Sequence, residues 1–267
     1  MEVVTNLSVE VSYKKQFLLG VLLLLVIIVA IEGIVRAYDY FNPNCMFSGS
    51  EVFQDVDFEL KRAICHANDD IIWSDQPFLH LLPNQHLPTV NINSDGFRGT
   101  EITKEKSENV YRIFVVGGST TFGVGTTSDL TTIPGFLQKK FHDTNLNFKV
   151  EVINAGIPGA WSGSETDMIK DKLVMFEPDL LLVYDGWNDH GRKEVNRPNA
   201  DEYEWRDNWI ASCKFGNQNN FETIVTLQPL LGNGKKFQTD QELVINTRES
   251  MYIFSLGYQL YANQLDD

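Results

Sequence analysis

Apolar positions along this chain fall into two regimes. The first is one long block. Phe17 to Ile31 is apolar without a break, Glu32 interrupts it, and Gly33-Ile34-Val35 extends it. About 19 residues at about 1.5 Å each reach about 28 Å, close to a bilayer core. A buried helix of a soluble domain rarely lacks a polar face for so long. A cleavable signal peptide is the rival reading, but no clear small-x-small site follows. The block therefore predicts an uncleaved signal anchor over residues 16–36, behind a short cytoplasmic N-terminus over 1–15. Lys14 and Lys15 flank the inner end, and Asp39 soon follows Arg36. The positive-inside tendency then places the bulk of the chain outside, as a single-pass membrane protein with its main domain extracytoplasmic.

The second regime is a rhythm of short apolar runs and helical spacings. Residues 37–90 come first and show no sustained period, which predicts a stalk and an irregular lead-in. Val90, Ile92 and the Ser-Asp-Gly turn of Asn91 to Gly99 predict a short strand and tight turn. From Tyr111 the run YRIFVV reads as a strand buried on both faces, stopped by Gly117-Gly118-Ser119. Ile133, Phe136, Leu137 and Phe141 have helical spacing. Lys149 to Asn154 is a strand, Ser164 to Phe176 a helix, Asp179 to Tyr184 a third strand and Glu222 to Gln228 a fourth. Glu249 to Gln264 predicts a last helix. Strands separated by single helices imply right-handed crossovers, so residues 91–267 predict a three-layer α/β/α parallel sheet of flavodoxin-like type.

Composition narrows the chemistry. The net charge of −14 leaves no basic stripe for a phosphate backbone, so no nucleic-acid partner is expected. Three cysteines make no disulfide scaffold, and whether Cys45 and Cys65 pair is left open. No Cys/His cluster has zinc-site spacing, so neither a metal nor a cofactor is expected.

Candidate chemistry collects where the strands end. Gly117-Gly118-Ser119, Gly156-Ile157-Pro158-Gly159 and Gly186-Trp187-Asn188-Asp189 would lie together on one edge of a parallel sheet. On this stretch alone Ser119 reads first as a helix N-cap or plain turn residue, with a nucleophile as the rival reading. A serine attacking a carbonyl creates an oxyanion, and donors from three loops are what such a charge needs. Thr121 excludes the Gly-x-Ser-x-Gly elbow.

These three blocks resemble the SGNH (GDSL-like) hydrolases, a family of esterases and acylhydrolases. Gly117-Gly118-Ser119-Thr120 matches its first block, Asn154 to Gly159 its second, and Gly186 to Asp189 its third. The resemblance implies Ser119 as nucleophile, with oxyanion donors from the N–H groups of Ser119 and Gly159 and the side chain of Asn188. Gly118, Thr120, Trp161 and Trp187 become candidates for lining a substrate cleft, although aromatics beside strand ends also serve as packing. The Asn93 to Gly99 lead-in resembles membrane-anchored and secreted members. The implied substrates are carboxylic esters, among them acylated glycans or lipids.

The family's last block, Asp-x-x-His, has no match here. Of the five histidines, His66, His80 and His86 precede the sheet, His142 ends a surface helix, and His190 follows Asp189. His190 is expected to be a solvated loop residue, Asp189 a loop-fixing acceptor and Asp185 a turn residue. The expected fold is accordingly C-terminally incomplete, the general base is not found, and the chain as it stands is expected to have little or no activity. The alternatives are a non-catalytic cleft-binding pseudoenzyme and an O-acyltransferase acting on cell-surface polysaccharide.

Overall fold

A computed structural model of the chain describes residues 12–42, 45, 53, 55–75, 80–195, 202–230, 237, 239, 240, 243 and 258–265. The chain divides into two compact units, Met1–Cys65 and His66–Asp267. The apolar block forms helix α1 (Tyr13–Phe41), 29 residues with no buried side chain. At 1.5 Å per residue it extends about 44 Å, so it is long and apolar enough to cross a membrane. Its internal charges pair with each other: Arg36 Nε donates to Glu32 Oε1 at 2.7 Å, one helical turn away. Helix α2 (Phe58–Asp69) follows. The expected lead-in over 37–90 had no element there. Cys65 on this helix is disulfide-bonded to Cys45, which closes the question of pairing.

In the second unit, β1 (Gln85–His86) and β2 (Asn91–Ile92) form a small antiparallel hairpin. Then come β3 (Val110–Gly117), the single turn α3 (Ser119–Phe122), α4 (Ile133–His142), β4 (Lys149–Gly156), α5 (Ser162–Asp171) and β5 (Leu180–Asp185). The described elements end with α6 (Trp187–Val195), α7 (Glu202–Gln218) and β6 (Glu222–Leu227). The predicted helix over Ser164 to Phe176 is divided. α5 stops at Asp171, and a 3₁₀ turn, Leu173–Phe176, completes the span. Of the predicted last helix, residues 258–263 are helical and 249–257 lie outside the described residues.

The four long strands form one parallel sheet in the order β4-β3-β5-β6. Because side chains alternate along a strand, each strand feeds two cores. Ile113, Val115, Val150 and Val152 pack with Leu137 and Phe141 of α4 on one face. Phe114, Val116, Ile153, Leu181 and Val183 pack with Met168 and Ile169 of α5 and Trp205 and Trp209 of α7 on the other. The three-layer α/β/α architecture follows. The crossover after β3 uses one face and the crossover after β4 uses the other. The chain therefore reverses direction beside β3, and the loops after β3 and β5 splay apart there, the place where open parallel sheets hold ligands.

β4 is an edge strand of the described sheet, and its outward groups meet the Gln138 side chain and the Arg98 backbone. Gln138 Nε2 donates to Val150 O at 3.0 Å, and Val152 N donates to Gln138 Oε1 at 2.7 Å. The Arg98 N–H donates to Asn154 O at 3.3 Å further along. The Gln138 carboxamide thus imitates a residue of a neighbouring strand and blunts the edge. Gln138→Ala should lower unfolding free energy by about 1–3 kcal/mol, since two partly buried backbone groups lose their partners. Denaturant unfolding of the full chain checks it, and an unchanged midpoint would refute the capping role.

Candidate active site

Ser119 opens α3 directly after the buried run Phe114–Val115–Val116 of β3. Gly118 is the N-cap residue, so no side chain covers the first N–H groups. Ser119 is half-buried and Thr120 exposed. The carboxyl end of this short turn is held firmly. Arg98 Nη1 donates to the carbonyls of Phe122 and Gly123 at 2.9 and 2.8 Å. Arg98 also donates through Nε to Asp129 at 2.8 Å and through Nη2 to Thr89 O at 2.8 Å. Asn154 Nδ2 donates to Phe122 O at 3.1 Å. The arginine of the Asn93 to Gly99 segment and the asparagine of the second glycine block therefore act from behind. They fix the turn that presents Ser119.

Three loops meet at this point. The loop after β4 is tied to β3 by the Ile157 N–H, which donates to Gly117 O at 2.9 Å. Asn188, in the first turn of α6, donates through Nδ2 to Ala160 O at 2.6 Å. The same Nδ2 lies 2.5 Å from where a Cβ on Gly118 would stand. Only glycine lets the Asn188 carboxamide rest against the peptide that leads into Ser119. Gly159 turns the second loop with φ of 79°, a left-handed conformation that favours glycine. It is exposed, with open space where its Cβ would point. Among the described residues, the N–H groups of Ser119 and Gly159 and the second hydrogen of Asn188 Nδ2 have no acceptor. They come from the ends of β3, β4 and β5, which are adjacent in the sheet.

Trp161 and Trp187 are half-buried beside these loops. The Trp161 ring lies back over Gly163 of its own helix, 2.3 Å from where a Cβ there would stand. His142 is exposed at the end of α4, as expected. His190 departs from expectation. It is buried, with ring centroids 5.8 and 5.6 Å from those of Tyr258 and Tyr261. The loop that would have solvated it is helix α6. Two residues after Asn188, a side chain points to the opposite side of the helix. Among the described residues nothing hydrogen-bonds to the Ser119 hydroxyl.

Asp185 is also not a turn residue: it is the buried last residue of β5, and its Oδ2 accepts from Trp205 Nε1 at 3.2 Å. Asp189 is a loop-fixing acceptor as expected, taking the Ser162 N–H at 2.9 Å and the Ser162 hydroxyl. What the sequence did not disclose is Glu165. This α5 residue is buried, and neither of its carboxyl oxygens has a hydrogen-bond partner among the described residues. Burial, and then the charges of Asp185 and Asp189, hold its carboxyl well above the usual range. Burial, then Asp189, does the same to Asp185. No group of His, Cys, Asp and Glu that could hold a metal occurs among the described residues.

No family model and no curated protein matches the chain. Solved structures it is similar to are esterases and lipolytic proteins of GDSL type at low identity. An acetylxylan esterase from Geobacillus stearothermophilus is 13% identical, over 58% of this chain and 72% of that one, with a TM-score of 0.41. A putative lipolytic G-D-S-L protein from Desulfitobacterium hafniense is 16% identical, over 58% and 73%, with a TM-score of 0.39. TesA is 19% identical, over 58% and 74%, with a TM-score of 0.39.

The raised carboxyl of Glu165 links folding to pH. Its folded-state value lies above the unfolded one, so its contribution is complete at low pH and is lost as pH rises through the folded value. Between pH 5 and pH 8 the melting temperature should fall. Glu165→Gln, which cannot ionise, should make that fall shallower and raise the melting temperature at pH 8 by about 2 °C or more. Parallel melting curves for the two proteins across this range would refute the assignment.

Proposed function

We propose that this chain presents an ester-cleaving serine site outside the membrane that α1 anchors it to. The observation that carries the reading is the meeting of Gly118, Ala160 and the Asn188 carboxamide beside Ser119. In the reaction, Ser119 Oγ attacks the ester carbonyl carbon and its proton passes to solvent. The carbonyl oxygen becomes an oxyanion facing the N–H groups of Ser119 and Gly159 and the Asn188 amide. Collapse breaks the ester C–O bond, and the alcohol leaves with a proton. Water then cleaves the acyl-serine and releases the carboxylic acid.

Among the described residues no side chain accepts the Ser119 hydroxyl proton, so in this reading the proton passes to solvent. An ester of an acylated glycan or lipid suits a site held at a membrane surface. The Cys45–Cys65 disulfide agrees with an oxidising, extracytoplasmic setting for the residues after α1. The absence of a described base at Ser119 favours one second reading, a cleft that binds an acylated ligand without turning it over.

Hydrolysis of p-nitrophenyl acetate by the full chain decides between them. The parent rate should exceed that of Ser119→Ala by about 10-fold or more. Equal rates would refute ester cleavage and leave the binding reading. Transfer to a sugar acceptor that outpaces hydrolysis would instead mark an acyltransferase.

A further inference from the structure

Two consecutive residues of α6 grip the loop that follows β4. Asn188 donates to Ala160 O at 2.6 Å, and Asp189 accepts the Ser162 N–H at 2.9 Å together with the Ser162 hydroxyl. Asn208 of α7 donates through Nδ2 to Ser162 Oγ at 2.9 Å. A hydroxyl has one proton to give. With Asn208 occupying its acceptor side, that proton is directed at Asp189. Ser162 and Asp189 are both buried, so water does not compete for these bonds. Gly159 lies three residues before Ser162, at the open, left-handed turn.

We propose that Asp189 is a positioning residue: by accepting both donors of Ser162 it sets the spacing between the Gly159 N–H and the Asn188 carboxamide. The role in catalysis rests on the reading of Ser119 as an ester-cleaving nucleophile; the clamp itself does not. Asparagine at 189 keeps the size but offers one acceptor oxygen where Ser162 presents two donors. The Gly159 loop would then have a weakened tie to α6 at Ser162 while the Asn188–Ala160 bond remains.

Two measurements on the full chain test this. Amide hydrogen exchange should rise about 10-fold or more over residues 157–164 in Asp189→Asn, with β3 still protected. Unchanged exchange over 157–164 would overturn the clamp. If exchange rises in β3 as well, the fold itself has loosened, and Ser162→Ala, which removes the hydroxyl arm alone, then decides: faster exchange over 157–164 with β3 protected supports the clamp, and unchanged exchange there overturns it. The second measurement is Ser119-dependent hydrolysis. Asp189→Asn should lower kcat about 10-fold or more with KM little changed, and adding Asn188→Ala should cost less than about 3-fold more. Losses that simply add would overturn the positioning role. A parent with no Ser119-dependent rate would defeat the proposed function, while exchange would still decide the clamp.

Discussion

The Asn188 carboxamide sits in the one gap that Gly118 leaves open, and it reaches Ala160 on the far side of that gap. This contact needs three things at once. The ends of β3, β4 and β5 must be neighbours, Gly118 must lack a side chain, and α6 must begin immediately after β5. A parallel sheet in the order β4-β3-β5 satisfies the first, because β3 lies between β4 and β5 and all three strands end at the same edge. The other two are local, set by the glycines at 118 and 186. The arrangement costs buried polar groups, and these are met from behind by Arg98, Asn154 and Ser162 rather than by solvent.

Strand runs and glycine blocks were legible because their signal is local. Phe114 to Val116, Ile153 and Leu181 to Val183 are apolar where they are buried, and the turn residues follow at once. Helix α6 was not legible, since its inward residues, Asp189 and His190, are polar. An apolar period cannot reveal a helix whose buried side is made of hydrogen-bonding groups. Helix α7 did leave a trace. Trp205, Trp209, Ser212 and Gly216 are buried at helical spacing, but two of the four are small or polar and fall below a hydrophobic pattern. The neighbourhood of Glu165 with Asp185 and Asp189 joins residues 20 and more apart in the chain, which only the tertiary fold brings together.

The same physics separates the parts of the site. Donors for an oxyanion come free at strand and helix ends, because backbone N–H groups there have no partner of their own. A base for the serine does not come free; a particular side chain must be delivered to it. Among the described residues the N–H groups of Ser119 and Gly159 have no acceptor, and nothing hydrogen-bonds to the Ser119 hydroxyl. His190 is held among Tyr258 and Tyr261 instead.

The proposed convergence of donors on Ser119 is open to direct observation by nuclear magnetic resonance on the asparagine-labelled full chain. Methylboronic acid adds to a reactive serine hydroxyl as a tetrahedral anion, placing charge where the oxyanion would form. The Asn188 side-chain amide signals should shift downfield on addition, and Ser119→Ala should abolish the shift. An Asn188 signal that stays in place while Ser119 carries the adduct would contradict the convergence.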